Sequence, residues 1–152
     1  MNEQFTWLHI GLGSFHRAHQ AWYLHRLQVM GDKRWSIAAG NIRNDAEHVV
    51  QALSAQKGRY VLETVSPEGV SEYEEITSIQ KLIPWQADLQ PLIAEGADPK
   101  TKVIAFTVTE GGYYLNTSHK LEVNNPDLAA ILKGMQNNLR CYYPYPRSAY
   151  GK

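Results

Sequence analysis

The stretch from Phe5 to His19, FTWLHIGLGSFHRAH, constrains the fold more than any other part of the chain. An apolar run ending in Leu8, His9 and Ile10 passes straight into Gly11 and Gly13, and from Ser14 onward the residues read as a helix. Strand, glycine turn and helix start, in that order, form the first βα unit of a dinucleotide-binding fold. Gly11 permits the tight turn, and Gly13 lets backbone approach a pyrophosphate with no Cβ in the way. A helix starting at Ser14, its expected N-cap, aims free N–H groups and a positive dipole end at that anion. His16 stands where G-x-G-x-x-G places its third glycine. On pattern alone GLGSFH is equally an ordinary strand-to-helix turn whose glycines only relieve backbone strain.

Beyond this unit the chain alternates strand and helix patterns. A helix is expected over 14–30, with Ala18, Ala21, Trp22, Leu24 and Leu27 on its apolar face and Gly31-Asp32 as its stop. WSIAAG at 35–40 reads as a second parallel strand, 45–56 as a helix and 60–65 as a strand, followed by a Pro67-Glu68-Gly69 turn. Residues 70–85 read as a further extended pair inserted into the unit, and 88–94 as a short helix ended by Glu95-Gly96. KVIAFTVT at 102–109 is the strongest strand after the first. The expected fold class is therefore α/β: a Rossmann-like, mainly parallel sheet flanked by helices, incomplete, with a small extended insertion.

In such sheets ligands lie beyond the carboxyl ends of the strands, where the strand order reverses. Three loops occupy that edge: Gly11–Arg17, Gly40–Asp45 and Thr109–Tyr113. The first offers Gly11, Leu12, Gly13, Ser14, Phe15, His16 and Arg17, the last two toward the cofactor phosphates or the cleft wall. In the second, an acid would hold a ribose diol and an arginine would admit a 2′-phosphate. Neither rule is cleanly met: Asn41 suits the diol, Asp45 repels a phosphate or simply caps the next helix, and Arg43 welcomes one.

Composition excludes more than it selects. With 15 basic and 15 acidic residues in 152, the net charge is +0, which removes the broad electrostatic case for nucleic acid. No run reaches the ~20 apolar residues that span a bilayer, and the N-terminus lacks signal-peptide order, so a soluble cytoplasmic protein is expected. The single Cys141 allows no internal disulfide. His16 and His19, three apart, lack the further ligands of a common metal site, so no metal is expected. His9, inside the strand, reads as a buried hydrogen-bonded histidine, while His25, His48 and His119 have no nameable partners. No nucleophile constellation is recognisable, and Tyr113 and Tyr114 read as packing residues.

GLGSFHRAHQAWYL and the later FTVTEGGYY together resemble the mannitol dehydrogenase family of polyol-specific long-chain dehydrogenases. The resemblance covers about residues 3 to 134. It implies NAD as cofactor and places Thr109 and Glu110 on the nicotinamide side of the cleft. It also implies oxidation of a sugar alcohol of arabinitol or mannitol type to a ketose. Family members are far longer and follow the nucleotide domain with a mostly helical domain. That domain carries the catalytic lysine, the general base, with an asparagine and a histidine beside it. No lysine here lies in a matching segment, so this chain is expected to bind cofactor, to supply no catalytic residue and to be inactive alone. The alternative is a non-catalytic nucleotide-binding remnant.

Residues 1–134 thus read as a partial N-terminal dinucleotide-binding domain and 135–152, MQNNLRCYYPYPRSAYGK, as an aberrant tail without a periodic apolar face. Permitted codons for Gly134 to Lys152, read one base later, yield Glu-Cys-Lys-Thr-Ile-Tyr-Gly-Ala and continue as an amphipathic helix resembling the family's own continuation. The expectation is a frameshifted, truncated product. An edge strand left apolar by an unfinished sheet is expected to favour association.

Overall fold

A computed structural model describes residues 3–44, 47–108 and 113–136, in two compact units, 1–107 and 108–152. In chain order the first unit contains β1 (Phe5–Ile10), α1 (Ser14–Ala18), α2 (Gln20–Val29), β2 (Trp35–Gly40), α3 (Glu47–Ala55), β3 (Tyr60–Val65), β4 (Ser71–Ile76), β5 (Ile79–Ile83), α4 (Gln90–Ala97) and β6 (Thr101–Phe106). Its sheet has the order β5-β2-β1-β6, every neighbouring pair parallel. The chain steps outward from β1 to β2 and β5, then returns across β1 to lay down β6. The strand order therefore reverses at β1, the position at which sheets of this kind take ligands in a crevice beyond the carboxyl ends of the strands.

The strand sequences explain the layering. WSIAAG in β2 ends in four buried residues, Ile37 to Gly40, as a parallel strand covered on both faces requires. Ile37 and Ala39 join a core with Leu12, Ala21, Leu24, Val50 and Leu53, beneath α2 and α3. Ala38 faces the other way and packs with Leu8, Ile83 and Leu92, beneath α4. Helices thus flank both faces, as the alternating pattern predicts. Gly40 closes β2 where space is short: a Cβ there would lie 3.0 Å from Ile83 Cβ and 3.1 Å from Leu92 Cδ1.

Several segment boundaries differ from the sequence reading. The helix expected over 14–30 breaks at His19, whose φ of −118° and ψ of −77° separate α1 from α2. Residues 70–85 are not an inserted pair: β4 pairs antiparallel with β3, whereas β5 joins the parallel sheet beside β2. The extended insertion is therefore the β3–β4 hairpin. It is anchored to α2 by Trp22 Nε1 donating to Glu74 (2.8 Å), and in the link that leads from it to β5 buried Ser78 Oγ donates to the Ala21 carbonyl (2.6 Å). Glu95 and Gly96 do not end α4, which runs to Ala97; Glu95 is buried and ion-paired with Lys81. The strand expected over 102–109 spans Thr101–Phe106.

In the second unit Asn116 Oδ1 accepts the Ser118 and Lys120 N–H groups (2.9 and 3.1 Å), closing a turn between bridged Leu115 and Leu121. α5 (Pro126–Gln136) follows, with Pro126 at its start. It extends two residues into the stretch read as an aberrant tail; the rest of that stretch lies outside the described residues. Among the described residues no helix is long and apolar enough to cross a membrane.

Candidate functional site

The glycine turn sits where the sequence places it, between β1 and α1. Gly11 adopts φ +112°, a conformation that L side chains rarely adopt. Gly13 is different. It occupies the N-cap of α1 with φ −63° and ψ 163°, which any residue can adopt, and nothing lies within 4 Å of where its Cβ would project. Neither backbone geometry nor packing among the described residues asks for glycine at 13. A ligand lying close against the backbone of the turn would ask for it, and the residues present therefore fit a pyrophosphate. Ser14 is not the N-cap as expected: it is the first residue of α1, and no side chain caps the helix.

The turn is braced from three directions. Gly11 N–H donates to the Gly40 carbonyl (2.8 Å) at the end of β2. Leu12 N–H donates to Asn41 Oδ1 (2.9 Å), while the Leu12 side chain is buried in the core. Arg17 folds back to donate from Nη1 to the Leu12 carbonyl (2.5 Å), with Nη2 3.5 Å from Ser14 Oγ. From the hairpin, Tyr60 OH donates to the Arg17 carbonyl (2.6 Å), and its burial raises the phenol pKa. Sequence reasoning missed Tyr60; a tyrosine 43 residues away carries no local signal for this contact.

Beneath the turn lies a pair of imidazoles. His9 and His16 are 0% and 1% exposed and stack with ring centroids 3.5 Å apart at 9°. His16 Nδ1 lies 3.0 Å from Gln20 Oε1, and His9 Nε2 lies 3.4 Å from Thr107 Oγ1, just past β6. Burial is the main force pushing each imidazole down to about 4. The neighbouring His16 lowers His9 further; for His16 the Gln20 contact opposes the shift and Arg17 adds to it. The pair is neutral near pH 7.

The predicted site residues divide accordingly. Gly11, Leu12, Gly13, Ser14, Phe15, His16, Arg17 and Asn41 gather at one sheet edge. Phe15 is exposed on the first turn of α1, tilted against His19 with centroids 4.5 Å apart. His16 points inward, and Arg17 is engaged with the turn itself. Asn41 spends its carbonyl oxygen on Leu12; its Nδ2 is buried and has no partner among the described residues. Asp45, Thr109, Glu110, Gly111 and Gly112 lie outside the described residues, so the third loop and the expected acid of the second are not placed. His25, unpartnered in the sequence reading, meets Thr77 Oγ1 at 3.2 Å and Glu74 at 3.5 Å. No group of three metal-ligating side chains occurs among the described residues.

Known proteins resemble this chain over most of its length. The family described as the mannitol dehydrogenase Rossmann domain matches residues 6–141. A D-arabinitol 4-dehydrogenase of Klebsiella pneumoniae is 83% identical over 134 residues, 88% of this chain and 30% of the relative. A D-arabinitol 4-dehydrogenase of Ralstonia nicotianae is 55% identical over 134 residues, 87% of this chain and 29% of the relative. Among solved structures, a Pseudomonas fluorescens mannitol 2-dehydrogenase in ternary complex with NAD and D-mannitol superposes with TM-score 0.72. It is 29% identical and covers 87% of this chain, which in turn covers 27% of it. This chain thus spans less than a third of the length of each of these relatives.

Proposed function

The chain belongs to the mannitol dehydrogenase family through its Rossmann domain, and from that premise we propose that it forms the NAD-binding N-terminal part of a polyol dehydrogenase. In this reading the bound nicotinamide accepts hydride from a secondary alcohol of a sugar alcohol, of arabinitol or mannitol type, leaving a ketose. The residues of this chain bind and orient. Gly11 and Gly13 hold backbone against the pyrophosphate, the N–H groups at the start of α1 face its charge, and exposed Phe15 and Ser14 wall the approach. Asn41 fixes the turn, and Asp45 meets the ribose diol. Thr109 and Glu110 line the nicotinamide side. Proton abstraction from the alcohol falls to a residue outside this chain, so the chain alone turns over no polyol. The tail from 135, on the same reading, is out of frame, which sequencing the locus tests.

Gly13 carries the proposal, because its missing Cβ serves nothing among the described residues. Serine is a better N-cap than glycine, so Gly13→Ser leaves the melting temperature unchanged or raised. The same substitution places a side chain where the pyrophosphate lies. NAD raises the melting temperature of the unaltered chain and loses that effect in Gly13→Ser. An unaltered chain whose melt ignores millimolar NAD would overturn the reading.

A further inference from the structure

We propose that the stacked His9–His16 pair is the positioning element of the glycine turn, replacing the close helix–strand contact that a third glycine provides elsewhere. The inference rests on the dinucleotide reading above and deepens it. In the common motif the third glycine lets the helix approach the strand closely. Here the corresponding residue carries a ring, fully buried, and that ring lies flat on a second ring presented by β1. The spacing between α1 and β1 is therefore set by two imidazole thicknesses at van der Waals contact, not by the absence of a side chain.

The contacts at either end of the pair say what is being held. His16 is tied to Gln20, the first residue of α2, and His9 to Thr107, the first residue beyond β6. One line of side chains thus runs from α2 through α1 and β1 to the end of β6. It crosses under the turn whose Gly13 meets the ligand and ends at the strand adjoining the crevice. Neither ring is exposed, so neither touches a cofactor lying on the open side; both act through the backbone above them.

A purely permissive role for position 16 makes the opposite forecast. If His16 only tolerates the place of a glycine, then His16→Gly restores the common motif and keeps or improves binding. If His16 is a spacer, the same change leaves a ring-sized void over His9, and α1 sinks or tilts with Gly13 and Ser14 attached to it. His16→Phe keeps the stacked area and gives up only the Gln20 contact.

The test uses the full chain with two independent readouts. Amide exchange without ligand, followed by NMR, reports the turn itself. His16→Gly speeds exchange of the Leu12 N–H at least tenfold relative to Ala38 in β2, and His16→Phe returns it to within threefold of the unaltered chain. Titration with NAD reports the consequence: His16→Gly weakens binding at least tenfold and His16→Phe less than threefold. A core variant in β4, Ile76→Val, lowers the melting temperature without moving either readout beyond twofold. Unchanged Leu12 exchange in His16→Gly, or equal weakening by Ile76→Val, would overturn the proposal. An unaltered chain that does not bind NAD, while His16→Gly still loosens Leu12, overturns the dinucleotide reading and supports the spacer.

Discussion

At the scale of single residues, the buried imidazoles make stability depend on pH in a defined window. Unfolded histidine takes a proton near 6.5, whereas His9 and His16 in the fold do so near about 4. Between those values the unfolded chain holds more protons, so stability rises with pH across the window and is flat above it. Each imidazole contributes a slope of on the order of 1.4 kcal/mol per pH unit. Thermal melts from pH 8 to pH 4 are therefore level at first and then fall steeply, and His16→Phe halves the slope. Exposed Asp32, lowered to about 2 chiefly by its hydrogen bond from Arg34, acts only at still lower pH and does not blur the window. Asn41→Ala removes the acceptor of the Leu12 N–H and lowers stability by about 1 kcal/mol, read from urea unfolding. The glycines of the turn were legible from residue type and order. The inward direction of His16 was not: α1 is only five residues long, too short for an apolar period to fix its rotation. Asn41 and Leu12 meet across 29 residues, a distance at which the chain alone offers no pairing signal.

At the scale of elements, the hairpin packs Ile76, Tyr60 and Leu62 on the main core and is tied to α2 through Glu74, a link whose removal has a local signature. Trp22→Phe deletes the donor to Glu74, and hydrogen exchange then rises throughout β3 and β4 while β1 and β2 keep their protection. Gly40→Ala acts differently. Its new methyl meets Ile83 and Leu92 at about 3 Å, and this overpacking lowers global stability by about 1–3 kcal/mol in urea unfolding. Only Thr77 and Ser78 separate β4 from β5, so the two strands read as one inserted pair; a fully buried Ser78, bonded to a helix carbonyl, marks where the chain enters the parallel sheet instead. Gly96 reads as a helix stop, yet α4 continues through it to Ala97, and a Cβ at 96 would meet Ile104 and Leu8 at 3.5 and 3.6 Å, ordinary van der Waals contact. At Ser78 a tertiary contact outweighs the local strand pattern.

For the molecule as a whole, the alternating βα pattern made the sheet class legible, but not which strand would occupy which edge. β6 has β1 as its one strand partner among the described residues, and its Ile104 and Phe106 are exposed. Unpaired backbone groups beside exposed apolar side chains form a template for association. Light scattering of the purified chain rises with concentration, and Ile104→Lys suppresses that rise without altering the NAD-dependent melt. The return of the chain across β1 ties these two behaviours together. One change of direction in the weave opens the place where a nucleotide can rest and also leaves a raw selvedge beside it. Trimming that border by mutation should improve handling of the protein in solution while sparing its appetite for cofactor.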